Sequence, residues 1–549
     1  MGDSGPVGWR ARTRERKFVL APASDRRNIT LAASRSRSAR LPHIFSIMFP
    51  APRARRRFAF VGAGVIGCAV LLWPAAPPEI DLPEETAAFR WDADELFAAL
   101  EAEFTRAGAT ELGEATDVLD GLETEGSALL SRVAGSDEPP FDALARLSSL
   151  QFELAVQGAA HPSLLPRVQN FFVGSRLTLM KAATVWPTDR YTHEALYRVL
   201  FGGRIALDEA LIQAGTDALA PLLQIEDIPS STPSILVEGV RIHSGDVLLS
   251  RGGAPTSALI ARGNDFPNTF SHAALAHVDA ESGEGTVIES LIETGSVLST
   301  VEEYLESKEH RILVLRLRPD HPALAGDPLL PHRAAEAMLA RVREEHIPYD
   351  FAMEWDDPST VFCSEIVFHA FRERGVDLWT VRSSMSAPGL VSWLAAMGVR
   401  EFNSLVPSDI EYDPQLRAVV EWRNAQALMD FRLDNAIIDA LLEEADRGAE
   451  LSYAWYALPL ARVLKLFSVG QSLLGGLPTI PKGMSASTAL KVDALVSKVH
   501  PAVRDELVVL AADFRERNGY EAPYWVLVRL ARDAVAARRE SLPPALAIQ

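Results

Sequence analysis

Cys363 is one of only two cysteines in 549 residues, and a thiol acts as a nucleophile only as the thiolate. Its setting favours that form. Val361-Phe362-Cys363-Ser364-Glu365 passes from an apolar stretch into a helical one. Ile366, Val367, Ala370 and Phe371 make the buried face of that helix, and Gly375 stops it. A cysteine at a helix N-terminus meets unpaired N–H groups and the positive end of the dipole. Both lower its pKa, and the same N–H groups can serve as an oxyanion hole. Composition alone leaves two readings open, an inert buried thiol or one kept for reactivity.

A thiol nucleophile needs a base. The neighbouring histidines are His243, His272, His277, His310, His321, His332, His346 and His369. His272 follows Asn268-Thr269-Phe270-Ser271 at the start of a strand, Ala273–Val278, from which a ring projects rigidly. His277, five residues on, points to the opposite face. His369 lies on the cysteine's own helix, nearly two turns away and out of reach. A third group should hold the imidazole in one tautomer. Glu289, at the end of Thr286-Val287-Ile288-Glu289, is the first choice and Glu293 its rival. The chain has no His-Glu-x-x-His, no cysteine pair at ligand spacing and no phosphate-binding Gly-x-x-x-x-Gly-Lys loop. No metal or cofactor is expected.

The elements that must carry these residues are short. Asp246–Leu249, Ala273–Val278, Thr286–Glu289 and Ile312–Leu317 are apolar runs separated by Gly, Asp, Asn and Ser, which predicts strands. Helices are predicted over Arg333–Glu345 and from Cys363. An α+β domain over 238–423 results. Residues 82–230 read as helical from the spacing in Asp94–Leu100, Asp142–Leu147 and Glu194–Leu200, and a Pro/Ser linker, Pro229–Ser234, ends them. Residues 424–549 return to helix. Within them Ala457–Leu477 carries few charges and reads either as a buried helical pair or as a hairpin on a membrane surface.

A net charge of −19 argues against a nucleic-acid binder, and two cysteines cannot build a disulfide framework. The charge is unevenly spread: residues 1–57 hold 14 Lys+Arg and 3 Asp+Glu. A 19-residue uncharged run, Phe58–Ala76, follows directly. Its length and basic flank predict a transmembrane signal anchor, with 1–57 in the cytoplasm. A cleaved signal peptide and a lipoprotein signal at Val65-Ile66-Gly67-Cys68 are the alternatives, and Met48 is a second candidate start. The expected location is a bacterial inner membrane, single-pass, with the soluble part extracytoplasmic.

Several stretches in one order carry a resemblance. They are Gly245-Asp246-Val247-Leu248-Leu249, Phe270-Ser271-His272, Val287-Ile288-Glu289, Pro348-Tyr349-Asp350-Phe351 through Trp355-Asp356-Asp357 to Phe362-Cys363-Ser364-Glu365, and Val406-Pro407-Ser408-Asp409 through Val420-Glu421-Trp422. Over about 240–423 the chain resembles the YiiX/YebB-like permuted papain-like amidases, within the NlpC-type cysteine hydrolases. The resemblance implies a permuted papain-like fold with an antiparallel sheet and packed helices. It implies Cys363 as nucleophile, His272 as base, Glu289 as orienting acid and Tyr349 beside the oxyanion, with Asp246 in a structural Gly-Asp turn. Phe270 and Ala273 depart from the Tyr and the Thr or Val expected around that histidine, which bears on the substrate pocket. The expected activity is that of a membrane-anchored cysteine hydrolase. It would cleave an amide, with an ester or thioester as the alternative, in a cell-wall peptide or an acyl lipid. The reading from another class is a membrane-tethered binding or scaffold protein with a degenerate papain-like module, which the long helical flanks support. The sequence fixes no oligomeric state.

Overall fold

Seven short strands, most of them apolar runs bounded by turn residues, assemble one antiparallel sheet. They are β1 (Leu222–Gln224), β4 (Val247–Ser250), β5 (His272–Val278), β6 (Gly285–Leu291), β7 (Gly295–Thr300), β8 (Arg311–Leu317) and β11 (Leu416–Arg423), in the order β1-β11-β8-β4-β5-β6-β7. A computed structural model describes residues 96–215, 220–307, 311–473, 478–538 and 546–548. All belong to the unit Arg55–Gln549. The basic segment 1–57, the apolar run 58–76 and the start of the first predicted helix, Asp94–Glu95, lie outside the described residues.

The two-residue side-chain period sorts the sheet into two buried faces. Val247, Leu249, Ala273, Leu275, Leu313 and Leu315 join one core cluster. It is closed by helices α8 (Leu330–Glu344) and α9 (Cys363–Arg372). Leu248, Ala274, Ala276, Ile312 and Val314 face the other way. They pack with Tyr304 of α7 (Val301–Ser307) and with the hairpin of β2 (Ser234–Val237) and β3 (Val240–His243). Asp246 fixes the β3–β4 turn. It accepts from the His243 N–H at 2.8 Å and takes the Arg316 guanidinium on both oxygens at 2.8 Å. Gly245 before it has φ +93°, and a Cβ there would lie 2.3 Å from Pro331. Only glycine fits that turn.

Helices α1 (Leu96–Gly108), α2 (Leu112–Ala134), α3 (Phe141–Ala160), α4 (Leu165–Ala182) and α5 (Arg190–Ala214) precede the sheet. Asp189 caps α5, accepting from Thr192 N–H at 2.8 Å. β1 lies inside the span that reads as helical, yet it pairs with β11 at the sheet edge. Three residues are too few to show alternation, so the sequence does not expose it. Helix α6 (Pro255–Arg262) connects β4 to β5, and α10 (Pro388–Met397) lies between the paired two-residue strands β9 (Ser383–Ser384) and β10 (Asn403–Ser404). On the C-terminal side follow α11 (Ala425–Asp446), α12 (Leu458–Leu473), α13 (Ala486–Ala494), α14 (His500–Asn518) and α15 (Tyr524–Arg538). A second small departure from the all-helical reading is the pairing of Ala449–Leu451 with Leu546–Ile548. Among the described residues no helix is long and apolar enough to cross a membrane.

A buried ionic network joins α5 to the sheet. Arg311 of β8 donates to both Asp208 oxygens, at 2.6 and 3.1 Å, and to Glu421 of β11 at 2.6 Å. Arg204 bonds Glu421 and Glu411, and Arg176 also bonds Glu411. Burial alone would raise the Glu421 pKa. The charges of Arg204, Arg311 and Arg423 outweigh it and hold that carboxylate well below its ordinary range. Breaking one member of such a set leaves an uncompensated buried charge. Asp208→Ala is therefore expected to cost about 3–5 kcal/mol, read as a lowered thermal unfolding midpoint. A midpoint unchanged from wild type would show that the network contributes nothing.

Candidate active site

Strands β5 and β6 pair only from Leu275–Ile288 to Val278–Gly285. Beyond Leu275 the two part, and residues 361–363 enter the gap. Ser290 Oγ of β6 donates to the Val361 carbonyl at 2.7 Å. The backbone of Ala273 hydrogen-bonds Cys363 Sγ. The thiol thus takes a place where a strand partner would otherwise sit. It is the first residue of α9, and only 5% of it is exposed.

His272 opens β5 and reaches the same point. Its Nε2 lies 2.7 Å from Glu289 Oε2, and its ring hydrogen-bonds the Cys363 thiol. With Nε2 on the carboxylate, Nδ1 is the nitrogen left for sulfur. Burial pushes the Cys363 pKa up. The hydrogen bond and positive charge of His272, with further bonds from Ala273 and Ser364, more than reverse this, so the thiol titrates below its ordinary value. Cys363, His272 and Glu289 therefore form one contiguous chain of donors and acceptors. Glu293 sits in the turn after β6 and acts on Tyr349 instead.

Tyr349 is held next to this chain by backbone bonds on both sides. Ser296 N–H donates to the Ile347 carbonyl at 2.8 Å, Ile347 N–H to Ser296 Oγ at 2.9 Å, and Val361 N–H to the Pro348 carbonyl at 2.9 Å. Burial first, then the negative charges of Cys363 and Asp350, raise the Tyr349 phenol well above its ordinary pKa. It stays protonated and able to donate. Gly295 permits this close approach. Its φ is +81°, and a Cβ there would stand 2.3 Å from the Ile347 carbonyl oxygen. Gly295→Ala should shift residues 347–349 away from the thiol and destabilise the fold by more than about 1 kcal/mol. The checks are a thermal melt and a catalytic rate, and wild-type values in both would contradict the close packing.

Glu365 completes the helix start. Its Oε2 accepts from Phe362 N–H at 2.8 Å, and its Oε1 lies 3.3 Å from His369 Nε2. Burial pushes Glu365 up to about 9 and His369 down to about 4. At neutral pH this is a hydrogen bond between uncharged groups, so Glu365 sets no negative charge against a thiolate two residues before it. The remaining histidines serve elsewhere. His277 stacks on His332 with ring centroids 5.3 Å apart, and His243 Nδ1 lies 3.0 Å from the Thr232 carbonyl. His321 lies 3.0 Å from Gln415 and His346 is exposed, while His310 is outside the described residues. Phe270 is fully buried under the Arg204 guanidinium, 4.9 Å from the ring centroid, so it packs in the core rather than lining a pocket.

Two contributors escape the sequence reading. Ser290 was legible in principle, since it neighbours Glu289 and alternation puts it on the opposite face. Tyr304 gives no such signal. It is fully buried, its hydroxyl donates to Ser250 Oγ at 3.0 Å, and it lies close enough to feel the charges of Glu289 and Cys363. Among the described residues no group of histidine, cysteine or carboxylate side chains is arranged to hold a metal ion. A groove of about 450 Å³ between α3 and α5 is lined by Phe141, Leu144, Tyr191 and Arg198 and involves none of the site residues.

Residues 241–420 match the family described as permuted papain-like amidase enzyme, YaeF/YiiX, C92 family. No curated protein and no solved structure matches the chain. The matched span opens in β3 and closes in β11. It contains every residue of the thiol site and excludes β1 and helices α1–α5 and α11–α15. Residues 241–420, set between two helical flanks, are thus similar to the YaeF/YiiX permuted papain-like amidases, a family of cysteine peptidases and amidases.

Proposed function

We propose that Cys363 is the nucleophile of an amide hydrolase, His272 its general base and acid, and Glu289 the group that orients the imidazole. The observation that carries this is the unbroken hydrogen-bonded series from Cys363 Sγ through the His272 ring to Glu289 Oε2 at 2.7 Å. The thiolate attacks the carbonyl carbon, and the carbon–oxygen π pair moves onto oxygen. That oxyanion meets the backbone N–H groups at the start of α9 and the Tyr349 hydroxyl. Imidazolium Nδ1–H then protonates the leaving nitrogen as the C–N bond breaks, leaving a thioester on Cys363. His272 next takes a proton from water, whose oxygen attacks the thioester. The acid departs and the thiolate–imidazolium pair returns.

The substrate in this reading is an N-acyl amide or peptide, of cell-wall or acyl-lipid origin, and esters or thioesters would pass through the same intermediate. Anchoring by 58–76 in an inner membrane, with the module on the extracytoplasmic side, is part of the proposal and rests on the sequence alone. One observation favours the scaffold reading, the near-complete burial of the thiol. Mass spectrometry of the protein after a short exposure to a panel of N-acyl amides and peptides decides between them. The expected result is an acyl adduct on the peptide containing Cys363 that hydroxylamine removes. No adduct with any amide, and slow alkylation of the native thiol, would sink the hydrolase reading.

A further inference from the structure

Helix α12 shows water a face that a helix of a soluble domain ordinarily buries. Seven of the sixteen strongly exposed large apolar side chains among the described residues fall between Trp455 and Val469. Trp455 and Tyr456 are 70% and 71% exposed, and Leu466 and Phe467 on the following turns are 71% and 61% exposed. The opposite face is anchored. Leu458 and Ala461 pack against Ala486, Ser468 Oγ accepts from Ile480 N–H at 2.9 Å, and Lys465 donates to the Pro481 carbonyl at 2.6 Å. A contiguous apolar patch of this kind marks an interaction surface.

Charge selects the partner. The chain carries 73 Asp+Glu, yet Leu451–Val492 contains none, while Arg462, Lys465, Lys482 and Lys491 fall within it. Among the described residues this run thus offers anions a long stretch of chain without an acidic side chain of its own. Aromatic rings at one end, long aliphatic chains along the face and scattered cations without acids suit the interface of an anionic bilayer. At 16 residues α12 is too short to cross one. We propose that α12 and the turn that precedes it, Trp455–Ala457, lie in the surface of an anionic phospholipid bilayer with the exposed apolar side chains of Trp455–Val469 inserted.

The position relative to the thiol gives this docking a purpose. The segment that braces α12 runs on to Gly483, where a Cβ would lie 3.1 Å from the Phe351 ring and 3.9 Å from the Tyr349 carbonyl oxygen. The helix and the loop beside Cys363 are therefore braced by the same few residues. The docking itself does not depend on the chemistry of Cys363.

The test is hydrogen exchange read by mass spectrometry on the full chain, with and without phosphatidylcholine–phosphatidylglycerol vesicles. A local readout is needed because residues 58–76 can bring the chain to lipid unaided. Exchange over 455–473 should slow severalfold with these vesicles, and less with pure phosphatidylcholine. The double variant Leu466→Asp/Phe467→Asp should exchange at the vesicle-free rate. Both side chains are exposed, so its melting temperature should match wild type. Unchanged exchange over 455–473 while the chain is vesicle-bound would overturn the proposal. So would equal protection by neutral lipid, or slowing that follows protein concentration without lipid, which would give the face to a second copy of the chain.

Discussion

Cys363→Ala is expected to lower kcat for amide hydrolysis by about 10⁴-fold or more while leaving the fold intact. The substitution removes one sulfur from a site whose neighbours are held independently. Ser290 grips the Val361 carbonyl, Val361 N–H grips Pro348, and Glu365 grips the Phe362 N–H. What remains is an oxyanion site without a nucleophile, so the residual rate should be near that of a binding site alone. Cys363→Ser should be nearly as poor. An alkoxide is far harder to form than a thiolate, and the depressed thiol pKa shows that this environment favours the thiolate. Circular dichroism and a thermal melt establish the fold of both variants. A serine variant with wild-type turnover would rule out the thiolate mechanism.

The second large effect is on pH dependence. In the wild type the thiol pKa is depressed, so the thiolate persists as pH falls below the value of about 8.5 at which a free cysteine titrates. Iodoacetamide should therefore retain more of its maximal rate toward native Cys363 below about pH 8.5 than toward a free cysteine, the rate falling as pH drops through the depressed pKa. His272→Ala removes the hydrogen bond and the positive charge responsible, while burial, which pushes the pKa up, remains. The titration should then move upward, and alkylation at pH 7 should slow, about tenfold for each pKa unit of the change. The full rate–pH curve of both proteins checks this. Superimposable curves would show that the imidazole does not control the thiol.

The central strands were legible because each is a short apolar run between turn residues. The thiol and His272 were legible because each opens an element, a helix and a strand, and Glu289 because it lies near the end of β6. The edges were not. β1 is three residues long, and β7 has a mixed composition, Gly-Ser-Val-Leu-Ser-Thr, whose place comes from pairing with β6. The choice between Glu289 and Glu293 needed the register, since both carboxylates lie within a few residues of one another. The face of α12 was undecidable for a different reason. Leu-Pro-Leu-Ala-Arg-Val-Leu-Lys-Leu-Phe is apolar nearly all round, so periodicity cannot separate a buried helix from an exposed one. Nothing in the sequence marks Asp208, Glu411 and Glu421 as one buried set; the fold alone brings them against Arg204 and Arg311.

The gap between β5 and β6 sets an order of events during synthesis. The strands bearing His272 and Glu289 leave the ribosome before Cys363 does, since both precede it in the chain. Until residues 361–363 arrive, the Ala273 amide and the Ser290 hydroxyl have nothing from that segment to hold, and the emerging thiol is an ordinary one. The insertion that completes the sheet is also the step that acidifies the thiol. A nascent or partly unfolded chain therefore carries a thiol at its ordinary pKa, and the shift toward the thiolate arises only when the module has closed.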